Sequence, residues 1–271
     1  MNVRYVDVHS HLQFDQFAHD ETDIITQMEE GGIASIVVGI DLESSKKALA
    51  LAEKHEHLYA AVGLHPNQVS NERYDISYYR ALAMHPKVVA IGECGLDYFR
   101  PVEVNDAVKK KQKEVLQKHI ELAAELDKPL IIHCRPSKGT QDAYQDLIEI
   151  LKEAKAKHPD LHGDIHFFVG GRQEAEAFFA LGFTVSFTAV ITFARDYDEV
   201  IKATPLGSIL SETDAPYLAP LARRGERNDP LAVVDVVAKI AEIRGEDIET
   251  VRKALLANAQ RLFALQGLEI A

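Results

Sequence analysis

Residues 5–11 read Tyr5-Val6-Asp7-Val8-His9-Ser10-His11, a β-branched and aromatic run that ends in an HxH pair. Its first four residues favour an extended conformation. A dinucleotide-binding open sheet would leave its first strand through a glycine-rich turn, whereas this run leads into two imidazoles. Seven more runs of similar character follow at 35–40, 59–64, 88–92, 130–133, 164–168, 183–187 and 208–212, which with 5–8 makes eight predicted strands. Between them apolar residues fall at helical spacing, as in Val115, Ile120, Leu122 and Leu126, and again in Leu147, Ile148, Ile150 and Leu151. Strands alternating with helices imply βα units joined by right-handed crossovers. Spread over 271 residues, eight units take roughly 34 residues each, the size of one βα step. The expected fold is therefore α/β, a TIM (β/α)8 barrel forming a single domain over 1–271. Two added C-terminal helices are predicted at 233–243 and 251–263, both rich in Ala and Leu. A doubly wound open sheet is the main rival, and the HxH ending of the first strand weighs against it.

Apolar residues make up 46% and charged residues 27% of the chain, which fits a soluble globular protein with a real core rather than a disordered one. No apolar run approaches the roughly 18 residues of a membrane span. The start, Met1 to Ser10, lacks a basic stretch followed by a longer apolar one. The expectation is a cytoplasmic protein with no membrane partner, a monomer by default. Thirty Lys and Arg against 42 Asp and Glu give a net charge of −12, a field that repels polyanions. Nucleic acid is not what composition suggests first, although bound cations or a local basic patch reverse the potential at one site. Cys94 and Cys134 are the two cysteines and form no CxxC, so neither a disulfide framework nor a thiolate zinc site is indicated.

In a barrel of this kind the reactive residues come from the C-terminal ends of the strands. His9 and His11 lie two apart and so share a face, within reach of one cation; taken alone, the pair is equally compatible with surface or packing histidines. Glu93 closes the apolar run Val88-Val89-Ala90-Ile91. A carboxylate there needs a partner, either a metal or a neighbouring Arg or Lys. His133 and His166 close two later strands, and Asp214 follows the last one, ahead of Pro216. Four histidines and two carboxylates from five strand ends would thus face one basin. Such an N/O donor set without thiolates suits Zn, Mn, Fe, Ni or Mg. Six ligands exceed what one catalytic ion takes while keeping a position open, so two ions are plausible. A divalent pair lowers the pKa of bound water to about 7 and polarises a phosphoryl or carbonyl oxygen, with Asp214 placed to accept the proton of the attacking water. The implied reaction class is metal-assisted hydrolysis.

The runs His9-Ser10-His11, Gly63-Leu64-His65-Pro66, Gly92-Glu93-Cys94-Gly95-Leu96-Asp97-Tyr98, Ile132-His133-Cys134-Arg135, His166 with Gly170, and Glu212-Thr213-Asp214-Ala215-Pro216-Tyr217-Leu218 together resemble the TatD family of metal-dependent deoxyribonucleases in the amidohydrolase superfamily. Residues 224–230, Arg-Gly-Glu-Arg-Asn-Asp-Pro, are similar to that family's RGxRNEP element with Asp in place of Glu. The resemblance covers nearly the whole chain. It implies one or two divalent cations, Mg, Mn or Zn. One ion would be held by His9, His11, Glu93 and Asp214, with Glu93 bridging to a second held by His133 and His166. It also implies that His65 lies beside the site and helps bind a phosphate. Arg135 is a further candidate substrate contact, and Arg223, Arg224 and Arg227, in the loop expected after the eighth strand at the active face of the barrel, are candidate phosphate contacts, with a structural role for that loop as the alternative. After the sixth-strand histidine the family often carries Cys-Phe-Thr-Gly, whereas this chain has Phe167-Phe168-Val169-Gly170-Gly171, so a hydroxyl near the scissile group is missing.

Other residues attract ordinary expectations. Cys94 and Cys134 each follow a candidate ligand, so alternation points them away from the basin as reduced, buried thiols. The basic run 109–113 is read as a solvated first turn of a helix. His19, His55, His57, His85, His119, His158 and His162 receive no role, and Tyr98 and Phe99 either stack on a base or pack in the core. The first functional expectation is a 3′ to 5′ exonuclease acting on single-stranded DNA ends, as the resemblance implies. The second keeps the metal site but takes a small ester, amide, lactone or aminoacyl-RNA linkage, because a ligand set reports mechanism better than substrate. A third, non-enzymatic reading is a closed structural or storage site with no open coordination position.

Overall fold

The structure is a computed structural model, and it describes residues 2–100, 105–265 and 269–270. Eight strands form one parallel sheet in chain order: β1 Tyr5–Ser10, β2 Ile33–Val38, β3 Leu58–Val62, β4 Val88–Asp97, β5 Leu130–Arg135, β6 Gly163–His166, β7 Phe183–Phe187 and β8 Ile209–Ser211. The chain leaving β8 then returns to β1. Asp214 N–H donates to His9 O at 2.9 Å, His11 N–H donates to Ala215 O at 2.8 Å, and Ser10 and Ala215 form a parallel bridge. The sheet is thus a nearly closed barrel, and the expected TIM fold is what the chain adopts.

Helices α1 Glu21–Gly31, α2 Leu42–Ala52, α3 Ile76–Ala83, α4 Asp106–Leu126, α5 Asp142–Lys157, α6 Arg172–Ala180 and α7 Asp198–Ala203 fall between the strands. The predicted C-terminal additions follow as α8 Val233–Arg244 and α9 Ile248–Phe263. Several begin where a side chain takes up a free N–H: Asp41 accepts from Ser44 N–H at 2.7 Å, Asn105 from Val108 N–H at 3.0 Å, and Asp247 from Thr250 N–H at 2.9 Å. Among the described residues, no helix is long and apolar enough to cross a membrane.

Alternation along β1 sorts its residues between two environments. Val6 and Val8 join a buried cluster with Ile36 of β2 and with Leu256 and Phe263 of α9. Asp7, His9 and His11 take the opposite face, where all three are buried. A strand covered on both sides tolerates few polar residues, so those it does carry are concentrated on the inward face.

β1, β2, β3 and β5 end two residues away from the sequence reading, and three further strand ends that differ bear on the site, each for a visible reason. β4 runs to Asp97 instead of ending near residue 92, because after a register shift Cys94, Gly95, Leu96 and Asp97 pair with Ile132, His133, Cys134 and Arg135. Gly95 permits this approach: its φ is +136°, and a Cβ there would stand 1.9 Å from the His133 carbonyl oxygen. Glu93 therefore sits inside a strand rather than after one. β6 ends at His166 rather than 168, since Phe167 adopts φ +46° and turns the chain out of the sheet. β8 is confined to three residues, which leaves Glu212, Thr213 and Asp214 on the closing segment.

Candidate metal centre

Glu93, 2% exposed, is the hub of the barrel mouth. Its Oε2 faces His9 Nε2 at 3.5 Å and His11 Nε2 at 3.8 Å. Its Oε1 faces His133 Nδ1 at 3.1 Å, His65 Nε2 at 3.3 Å and His166 Nε2 at 3.4 Å. Asp214 completes the first group, with Oδ1 at 3.5 Å from His11 Nε2 and 4.0 Å from His9 Nε2. Its φ of +52° is a conformation that Asp tolerates better than most residues. All six ligands expected from the sequence thus converge, and His65 stands beside them.

The spacing of the donors is compatible with shared ions. His9 Nε2 and His11 Nε2 lie 3.3 Å apart; two nitrogens each about 2.1 Å from one ion and roughly 105° apart would be separated by about this distance. The far nitrogen of three rings is already engaged. His11 Nδ1 meets Val38 O at 2.8 Å, His166 Nδ1 meets Glu212 Oε2 at 2.7 Å, and His133 Nε2 meets Asp97 Oδ2 at 3.2 Å. Each acceptor draws the ring proton outward and leaves the inward nitrogen with its lone pair free for a cation. His9, His11 and Glu93 form one group whose donor atoms lie within 4.8 Å of one another, and Glu93, His133 and His166 form another. The residues fit one or two divalent ions, and Glu93 is common to both donor groups.

Electrostatics agree with a cluster built for positive charge. Burial alone would push the Glu93 carboxyl up, but the facing imidazoles of His65, His133 and His166 hold it well below the usual carboxylate range. Burial also opposes charge on His166, yet Glu212 and Glu93 together raise it well above an ordinary histidine. At Asp214 burial is overcome by His11, His166 and His9, and the carboxyl stays low.

A deeper layer of acids was not singled out from the sequence. Glu212 accepts from Phe167 N–H at 2.6 Å and from the Ser186 hydroxyl at 3.0 Å besides holding His166. Asp7 accepts from Thr213 N–H and Thr213 OH, both at 2.8 Å, and so pins the segment that carries Asp214. Asp164 accepts from the Thr184 hydroxyl at 2.6 Å and shares the single Ser186 proton with Glu212, its Oδ2 lying 2.5 Å from Ser186 Oγ, and burial first, then Glu212, raises its carboxyl to about 7. The signal was available: Asp7, Asp164 and Glu212 each stand two residues before a ligand, and period-two alternation puts such an acid one layer further down the same face. Asp97, four residues after Glu93 at the end of β4, lies outside this pattern and holds His133 from the side.

The centre opens into a cavity of about 450 Å³, with Phe14, Arg100, Arg135 and Tyr217 among its lining residues. Arg224 and Arg227 do not line the cavity. Arg224 lies over the Phe193 ring at 4.5 Å, and Arg227 pairs with Asp20 at 2.5 Å and lies over Phe17. Their element acts as a strap, since Asn228 Nδ2 donates to Thr213 O at 3.0 Å and Asp229 pairs with Arg223 at 2.7 Å. Val169 lines the cavity where a hydroxyl residue would otherwise be expected. Cys94 and Cys134 are free and buried. Tyr98 packs in the core with its hydroxyl on Asp146 at 2.7 Å, while Phe99 is 47% exposed. In the run 109–113, Lys109 and Lys113 pair with Asp142 and Asp146 on α5.

A barrel whose mouth presents this donor set around an accessible cavity defines a metal-dependent hydrolase. Residues 6–264 match the family described as TatD related DNase, and the chain belongs to that family. It is 36% identical over 263 residues to an uncharacterised metal-dependent hydrolase, YabD, of Bacillus subtilis, covering 96% of this chain and 98% of that one. It is 31% identical over 268 residues to the 3′-5′ ssDNA/RNA exonuclease TatD of Pectobacterium parmentieri, covering 96% and 99%. The crystal structure of YjjV, a TatD homologue from Escherichia coli, superposes with a TM-score of 0.87 at 32% identity over 97% of this chain and 99% of that one.

Proposed function

We propose that this hydrolase is an exonuclease that removes nucleotides from the 3′ end of single-stranded DNA. The observation that carries the reading is the Glu93-centred donor set, opening on a cavity with cationic and aromatic walls in a chain of otherwise acidic charge. Relatives at 31% and 32% identity named 3′-5′ ssDNA/RNA exonucleases support it.

Divalent cations, when bound, supply Lewis-acid polarisation of the ester oxygen and a nucleophilic water at neutral pH. His9, His11, Glu93 and Asp214 would hold the first, and Glu93, His133 and His166 the second. Asp214, kept ionised by its histidine neighbours, accepts the proton of the attacking water within hydrogen-bond reach. His65 Nε2, beside Glu93 Oε1, contacts a phosphate oxygen, and Arg135 contributes positive charge from the cavity wall.

End-labelled single-stranded DNA incubated with Mg, Mn or Zn tests this, beside a panel of chromogenic esters and the variants Glu93→Gln and Asp214→Asn. Chelator-sensitive shortening from the 3′ end, lost in both variants, is expected. Ester turnover without nuclease activity would instead favour a small ester or amide substrate, and unchanged activity in both variants would remove the site from the mechanism.

A further inference from the structure

Arg100 and Arg135 line the same cavity as the metal donors, and among the described residues neither has a carboxylate partner within ion-pair distance. Elsewhere Arg80, Arg172, Arg223, Arg227 and Arg252 each meet an Asp or Glu within 3 Å. Arg73, Arg224 and Arg261 also meet no carboxylate at ion-pair distance among the described residues, but they lie outside this cavity, whereas Arg100 and Arg135 stand together in it, in a chain of net charge −12. Like charges that share a cavity repel unless an anion completes the site.

Their placement is fixed from the metal centre outward. Arg135 follows His133 by two residues on β5, so alternation carries it to the same face, one step nearer the rim. Its guanidinium lies over the Phe99 ring at 4.3 Å, a contact that holds the plane while leaving the N–H fork at its edge free. Arg100 is held by its backbone. Asp97 Oδ1 accepts the N–H groups of Phe99 and Arg100 at 2.9 and 2.8 Å, while Oδ2 of the same carboxylate faces His133 Nε2 at 3.2 Å. One acid therefore ties the turn bearing Arg100 to a candidate ligand of the second ion. Asn67 Nδ2 adds a bond to Asp97 at 3.0 Å and joins the His65 loop to the same post. On the cavity wall, Tyr217 is 41% exposed and Phe14 stacks on the His11 ring at 4.7 Å, giving aromatic faces to a planar base.

We propose that Arg100 and Arg135 form a second anion subsite, which holds a phosphate one linkage away from the phosphate at the metal donors. The substrate class then carries two phosphates flanking one nucleoside, as an oligonucleotide end does and a small neutral ester does not. The inference rests on the reading of the Glu93 centre as a phosphodiester site.

Calorimetric titration of the Mn-loaded protein with deoxythymidine 3′,5′-bisphosphate and with thymidine 5′-monophosphate tests it without turnover. The wild type is expected to bind the bisphosphate at least about tenfold more tightly, a difference of about 1.4 kcal/mol. In Arg100→Ala/Arg135→Ala that preference falls below about twofold, whatever the monophosphate affinity of the variant, and Arg135→Lys retains part of it because a point charge replaces the planar fork. Manganese content and circular dichroism of each variant establish that the centre and the fold persist. Equal affinity of the wild type for the two ligands, or a preference that survives in the double variant, overturns the proposal. Hydrolysis of single-stranded DNA and of bis(p-nitrophenyl) phosphate is followed in parallel. Absence of both activities from the wild type would defeat the exonuclease reading while leaving the binding ratio to decide the subsite by itself.

Discussion

Replacing Glu212 by Gln keeps the shape of the side chain and removes one charge at a position that touches no candidate ion. Glu212 Oε2 accepts from His166 Nδ1–H at 2.7 Å, and its Oε1 accepts from Phe167 N–H at 2.6 Å with the Ser186 hydroxyl at 3.0 Å. Gln has one oxygen and one NH2, so one of those donors must then face another donor. If the amide oxygen stays on Phe167, His166 loses the acceptor that draws its proton outward, and the tautomer that aims a bare Nε2 at Glu93 is no longer favoured. Losing such an outer partner typically weakens metal affinity about 10- to 100-fold, or roughly 1.4 to 2.7 kcal/mol. The ion expected at Glu93, His133 and His166 should weaken by that amount, with a smaller effect on the ion at His9 and His11. Titration of apo protein with Mn or Zn resolves the two binding steps, and Asp97→Asn should weaken the same ion through His133. Wild-type affinity at both steps in both variants would refute the claim that buried acids set the ligand tautomers.

Asp214→Asn should lower kcat by about 10²- to 10⁴-fold through loss of the general base, read in single-turnover DNA hydrolysis; a loss below tenfold at saturating metal would assign the proton to another group. His119 is fully buried, accepts Leu64 N–H at 3.0 Å, and burial pulls it down to about 4. With its folded value below the ordinary 6.5, its neutral form stabilises the fold fully above pH 6.5, and that contribution is lost as pH falls through 4. The displacement is worth roughly 3 kcal/mol, so urea unfolding at pH 7 and 4.5 should show the wild type losing more stability than His119→Gln. Parallel losses in the two proteins would contradict this. Gly95→Ala should cost about 2 kcal/mol or more, because the Cβ meets the His133 carbonyl oxygen in a conformation unfavourable to alanine; a near-wild-type melting temperature would show that β4 and β5 can separate there.

The eight strands were legible because each is an apolar run between helical patterns, and the ligands because a polar side chain ending a buried strand has few alternatives. Glu93 was found despite a misplaced strand end, since its neighbours on both sides are apolar or small. What escaped reading depended on contacts between segments far apart in the chain. Glu212 and Asp7 carry a signal in their two-residue spacing from the next candidate ligand, but what each one holds is decided only when the barrel closes and sets them beneath His166 and Thr213. Arg224 and Arg227 follow the last strand, as an active-site loop would, yet Asp20 and Phe17 near α1 hold Arg227 away from the cavity. Arg100 gave no signal of its own, because its position is set by backbone bonds to Asp97.

Anomalous diffraction from crystals of the protein grown with Mn tests the centre most directly. Two peaks about 3.5 to 4 Å apart, one within bonding distance of His9, His11 and Asp214, the other of His133 and His166, and both touching Glu93, are the predicted result. Peaks remote from Glu93, or Mn retained in full by Glu93→Gln, would contradict it.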